Sequence, residues 1–272
     1  MRAVFLVLAL VGLVLTYYPI VQHFGKAMTS PSTVLAGYPA FFRLAFASAV
    51  SRALSVHLLL LALSWRLLFA SGAHAAVFIL GSVVVSVSAF APLWVFFNLG
   101  TPPGPARRTA FVWPVWSYAL GAVALSSLLT RDVTGARISL HAWDALLFAF
   151  MGLALVPSLF APRSAPQQAV FTFVAGAALV ALIAEWENVV LVAHLLQHNL
   201  QALLHEASVT WPAASFCSEY PVLVATSVLY VLVAAEDVPV SVRAVVAAAC
   251  AIASPVAFPL FVAYRAAPQK NR

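Results

Sequence analysis

Long apolar runs, broken by short segments rich in proline, glycine or charge, follow one another along the whole chain. A helix needs about 20 apolar residues, at 1.5 Å each, to cross the hydrocarbon core of a bilayer. No water is available there to bond exposed backbone groups, so such runs predict helices. The pattern places spans at 3–23, 50–70, 75–98, 109–129 and 141–161, then a sixth stretch from 169 to 204, and two more at 220–235 and 241–264. The sixth is too long for one straight crossing, so it tilts or projects beyond the membrane. The segment 24–49 reads as a longer connection whose later part, around Phe41-Phe42-Arg43, lies in the interface. Gly100-Thr101-Pro102-Pro103-Gly104-Pro105 ends the third span, and Glu236-Asp237-Val238-Pro239 breaks the seventh. Trp113-Pro114-Val115-Trp116 opens the fourth with aromatic anchors. The predicted fold class is all-α: a polytopic transmembrane bundle of about eight helices forming a single membrane domain, 1–272.

Composition sharpens this picture. Of the 272 residues, 64% are hydrophobic and 8% charged, with a mean hydropathy of +1.00. Soluble domains carry about 25% charged residues. That excludes a soluble globular enzyme and a disordered chain. The +6 charge comes from 14 scattered Lys and Arg, of which only Arg107-Arg108 are adjacent, so no basic face for nucleic acid forms. The cationic loops suit anionic lipid headgroups. The expected partners are the lipid bilayer and other membrane subunits, not nucleic acid, and the expected location is an integral multi-pass one. Lys and Arg divide evenly between the two sides of an eight-span topology, so positive-inside counting assigns no orientation. The N-terminal run continues past Leu15 without an Ala-x-Ala site and reads as a retained span rather than a cleaved signal. Cys217 and Cys250 belong to no CxxC or metal-ligand pattern.

Two segments look duplicated. Pro92-Leu93-Trp94-Val95-Phe96-Phe97 and Pro259-Leu260-Phe261-Val262-Ala263-Tyr264 share Pro-Leu-aromatic-Val-x-aromatic, 167 positions apart. Ser51 and Ser218 fall at the same offset, and Gln22-His23 and Gln197-His198 end the candidate first helices. Helices one to three would then match helices six to eight, as repeats 1–98 and 168–265, with 109–161 as a two-helix linker. An odd number of helices between the starts makes the repeats inverted, an architecture met in transporters.

The closing run Ala257-Phe258-Pro259-Leu260-Phe261-Val262-Ala263-Tyr264-Arg265 resembles the end of a small bacterial integral membrane family, a three-helix domain of unknown function. Leu8-Ala9-Leu10-Val11-Gly12-Leu13, followed by Tyr17-Tyr18-Pro19, is similar to its opening. The resemblance implies a duplicated three-helix unit. An acidic residue of that family's middle helix finds no match near Arg52 or His57, and the family implies no activity.

Candidate chemistry concentrates in the sixth stretch. Glu187, Leu191, His194, His198, Gln201 and His205 recur at steps of four and three, which puts them on one helical face. Glu185 and Asn188 lie beside them. Ionisable groups inside a membrane normally face the bundle interior and have partners. The seam therefore predicts a polar site of Glu185, Glu187, Asn188, His194, His198 and Gln201, with His57 of the second span as a partner for Glu185 or Glu187. His57 bonded to a neighbouring carbonyl is the structural alternative. Arg52 and Glu219 match under the repeat and are expected to pair. Three chemistries fit the seam: a metal held by His194, His198 and Glu187; haem or a chlorophyll-type pigment on one histidine; or a wet cavity or proton path. A helix leaving the membrane with its polar face wet is the plain alternative. The cofactor stays open between these. The only lysines, Lys26 and Lys270, lie outside the spans, which excludes a retinal-type Schiff base. The favoured function is a non-enzymatic, transporter-like bundle or an accessory subunit of a membrane complex. The alternative is a membrane-embedded metal- or haem-dependent enzyme acting on a lipid-soluble substrate.

Overall fold

The computed structural model describes residues 2–24, 44, 48–70, 74–99, 167–233 and 238–266. Among these the chain is helical and contains no strand. In chain order the elements are α1 (Arg2–Phe24), α2 (Ala49–Ala70), α3 (Ala75–Gly81), a π-helix (Ser82–Ser86), α4 (Val87–Asn98), α5 (Gln167–Ala184), α6 (Trp186–His198), α7 (Leu200–Ala207), α8 (Trp211–Val233) and α9 (Val240–Ala266). Among the described residues, four helical segments are long and apolar enough to cross a membrane: Arg2–Gln22, Val77–Asn98, Pro212–Val233 and Val240–Arg265. The spans expected at 109–129 and 141–161, with the linker they form, lie outside the described residues.

The second expected span is a helix, α2. It is the centre of the bundle. Leu60, Leu61, Ser64, Trp65 and Phe69 of α2 are fully buried, and α2 packs against α8, α9, α4, α5, α6 and α7. α1 lies along α4 and α8, and α5 lies along α9. An aromatic cluster closes one end of the core. Trp65 stacks on Phe258 at 4.7 Å and meets Trp94 and Tyr230 edge-on. Its indole N–H donates to Ser227 Oγ over 3.0 Å, satisfying the one polar atom that this burial takes along.

Three of the long apolar stretches are broken. Val77–Asn98 passes through a π-helix and then an extended residue, Ser86 (φ −176°, ψ 143°), before α4 restarts. Ser86 Oγ caps α4 by accepting from the Ser88 N–H at 3.0 Å. Arg66 of α2 reaches the π-helix, donating to Ser82 Oγ (3.1 Å) and to the Ser82 carbonyl (3.3 Å). α9 has its own break at Ala253 (φ −134°, ψ 51°), just before Pro255. The sixth stretch, expected as one helix to 204, is divided at Glu185 and again at Asn199.

Large aliphatic side chains lie on outer helix faces as well as in the core, and hydroxyl groups are buried among the apolar ones. Val4, Val7, Leu10, Val14 and Val21 of α1, Leu179, Val180 and Ile183 of α5, and Val245 and Ile252 of α9 all point outward, Ile252 at 85% exposure. Ser51, Ser55, Ser64, Ser82, Ser86, Ser88, Ser215, Thr226 and Ser227 are buried.

Candidate functional site

The polar interior gathers at a carboxyl group that no expected seam contains. Glu219, in the middle of α8, is 5% exposed. Ser86 Oγ donates to its Oε2 at 2.7 Å and Ser88 Oγ at 3.4 Å. Ser215 Oγ, one turn earlier on α8, donates to Oε1 at 3.3 Å. Three hydroxyls from two chain segments thus surround one acid. No cationic side chain is paired with it among the described residues.

Local sequence explains why the hydroxyls converge. The break at Ser86 turns the backbone so that Ser86 and Ser88, only two residues apart, bring their oxygens within 2.6 Å of each other. α1 can approach this break because position 12 is glycine. A Cβ there would lie 2.5 Å from the Ser88 carbonyl oxygen and 2.7 Å from its carbon. The close approach puts Thr16 Oγ1 3.4 Å from Ser88 Oγ, while Thr16 also donates to the Gly12 carbonyl at 2.8 Å. On the other side Pro19 lacks the N–H that would bond the Leu15 carbonyl in a regular helix. Ser218 Oγ of α8 donates to that carbonyl instead, at 3.1 Å, and Ser215 Oγ lies 3.2 Å from the Thr16 carbonyl. α1 and α8 are therefore stitched by serine hydroxyls to backbone oxygens beside the acid. Beside this stitching, between Pro19 and Gln22 of α1, Leu44, Ser208, Val209 and Thr210 ahead of α8, and Ala214 of α8, lies a cleft of about 510 Å³.

A second buried carboxylate lies at the break between α5 and α6. Glu185, 2% exposed, accepts from Asn188 Nδ2 and faces Arg52 of α2, with Nε 3.4 Å from Oε1. The Arg52–Glu219 pair expected from the repeat is not formed: Arg52 is engaged by Glu185, and Glu219 by hydroxyls.

The expected seam divides accordingly. Glu185 and Asn188 face inward, but Glu187, His194, His198 and Gln201 are exposed. The His194 and His198 rings contact each other, with centroids 4.7 Å apart. Glu187, His194 and His198 all lie within the unbroken α6, but in exposed positions, and Gln201 lies beyond the break at Asn199. No group of three His, Cys, Asp or Glu side chains among the described residues is placed to hold a metal ion, so the triad of His194, His198 and Glu187 is not assembled. His57 donates from Nδ1 to the Ala53 carbonyl of its own helix at 2.6 Å and packs edge-on against Tyr220, rather than meeting Glu185 or Glu187. Cys217 and Cys250 are both free thiols.

No protein family, curated protein or solved structure matches the chain. Its function is therefore argued from this geometry alone.

The site residues missed by sequence reasoning are Thr16, Ser86, Ser88 and Ser215. A usable signal existed in the serines of Ser82-Val83-Val84-Val85-Ser86-Val87-Ser88 and in Ser215 and Ser218 beside Glu219. Hydroxyls so close together in an apolar run, and next to the sole acid of another, mark a shared polar interior.

Proposed function

We propose that the chain is a multi-pass integral membrane protein, a small transporter-like bundle built from two inverted three-helix units around an internal polar site. The observation that carries this reading is an apolar outer surface around a core that also holds buried hydroxyl and carboxyl groups. Large aliphatic side chains form the outer faces of α1, α5 and α9, while serines, threonines and two carboxyl groups lie inside. Helices in lipid gain nothing by hiding leucine from leucine. They associate through small and hydroxyl-bearing residues that allow close approach and hydrogen bonds. In water the same exposed apolar faces would drive aggregation.

Two features support the repeat. The backbone breaks at Ser86 and Ala253 are separated by 167 positions, the offset of the Pro-Leu-aromatic motif. Equating α1 with α5, α2 with α8, and α3–α4 with α9 also gives packed helix pairs their counterparts: α1–α4 with α5–α9, α4–α8 with α9–α2, and α1–α8 with α5–α2. The duplicated three-helix unit suggested by the chain's two ends agrees with this pairing. Broken helices around polar groups inside a bundle are the usual construction of a transporter binding site.

The test is extraction. Vesicles carrying the full chain, washed in alkaline carbonate, are expected to retain all of it and to release it only to detergent. A monodisperse protein recovered in aqueous buffer without detergent would refute the reading.

A further inference from the structure

Each of two helix interfaces buries one carboxyl group. Where α2 meets α5 and α6, Glu185 is balanced by the Arg52 guanidinium. Where α8 meets α1, Glu219 has hydroxyls and, among the described residues, no side-chain cation. A cleft opens near the second interface. Pro19 and Ala214, in the cleft wall, stand one turn or less from Thr16 and Ser215, which touch the carboxyl or its cage.

We propose that the Glu219 cage binds a monovalent metal cation, with sodium as the ion tested, entering through the cleft between α1 and α8. The proposal rests on the membrane reading above and names what its internal site takes. Hard cations are held by oxygen: carboxylate, hydroxyl and backbone carbonyl. The cage offers only such atoms. They are the two oxygens of Glu219, the hydroxyls of Ser86, Ser88, Thr16 and Ser215, and the Gly12 carbonyl, which lies 2.8 Å from Thr16 Oγ1 and 3.5 Å from Ser88 Oγ. No histidine or cysteine, the softer ligands of zinc or copper, is bonded to the group. One carboxylate matches one positive charge, which favours a monovalent ion over calcium, whose sites gather several carboxylates. The break at Ser86 supplies the adjustable element: hydroxyls that now donate to Glu219 rotate to present lone pairs to an ion.

The experiment uses the full chain purified in detergent at fixed pH and ionic strength. Thermal unfolding is followed in sodium, potassium and choline chloride, together with direct binding of radioactive sodium. At a sodium concentration about ten times the dissociation constant, the ratio of folded to unfolded protein is expected to rise about 11-fold over choline. Glu219→Gln is expected to abolish both the stabilisation and the bound radioactivity. Ser86→Ala, which keeps the carboxyl, is expected to weaken binding without abolishing it. Equal stability and no bound sodium in the wild-type protein would overturn the proposal, and that result needs no variant to fold. Stabilisation that follows pH and not sodium, and is lost in Glu219→Gln, would overturn it in favour of a proton site. Neither result touches the membrane reading, which the extraction test decides separately.

Discussion

Gly12→Ala is the sharpest probe of the packing that builds the internal site. The added methyl would lie 2.5 Å from the Ser88 carbonyl oxygen, 2.7 Å from its carbon and 3.1 Å from the Ala89 nitrogen. All three are backbone atoms, so no rotamer change relieves the contact. α1 and α4 must move apart, and the hydroxyl contacts of Thr16 and Ser88 stretch with them. Overpacking of this kind costs about 1–3 kcal/mol. Alanine is a better helix former than glycine by about 1 kcal/mol, so the net expectation is a loss of up to about 2 kcal/mol. Gly176 of α5 is the internal control. It is also mid-helix, but a Cβ there meets nothing within 4 Å, so Gly176→Ala keeps only the propensity gain and is expected to stabilise by up to about 1 kcal/mol. Thermal unfolding of both variants in the same detergent reads the sign directly. Shifts in the same direction, or a Gly12→Ala protein more stable than the parent, would refute the close approach of α1 to the Ser86–Ser88 break.

Other expectations follow from the same packing. Arg52→Gln leaves Glu185 buried with Asn188 as its remaining described partner and is expected to cost about 2 kcal/mol. That is less than the loss from breaking a fully buried pair, because Arg52 is 28% exposed. The double variant with Glu185→Gln should recover part of the loss in a thermal double-mutant cycle. Trp65→Ala empties the centre of the aromatic cluster and is expected to cost about 3–5 kcal/mol. Trp65→Phe costs less, since Ser227 Oγ still donates to the Leu223 carbonyl at 2.8 Å; unfolding midpoints of the two variants provide the check. His194→Ala and His198→Ala, both on an exposed face, are expected to change stability by no more than about 0.5 kcal/mol, and a large drop for either would mean that this face is covered.

Hydropathy made the apolar helices legible because length and composition are local properties. The spans read at 3–23, 75–98 and 241–264 correspond to Arg2–Phe24, the broken run from Ala75 to Asn98, and Val240–Ala266. α8 begins at Trp211, nine residues before the expected 220, because Pro212 and the serines around Cys217 look like loop. In the bundle those serines bond to α1, which makes the polar turn cheap to bury. The site was harder to read. Glu219 is expected only as a partner for Arg52, and its actual partners are hydroxyls as far away in sequence as Ser86. Serine in an apolar helix is common, so its role shows only when helices are brought together. The histidine seam misled for a related reason. A regular spacing predicts a shared face, as the adjacent His194 and His198 rings show, but not whether that face is covered.

The account turns on which side of the helices meets lipid. Single cysteines placed at Val7 and Ile252, after replacement of Cys217 and Cys250, can carry spin labels in reconstituted vesicles. Both positions are expected to be accessible to dissolved oxygen and closed to a water-soluble nickel chelate. Labels there that collide freely with the chelate would contradict a bundle that turns its aliphatic faces outward into a bilayer.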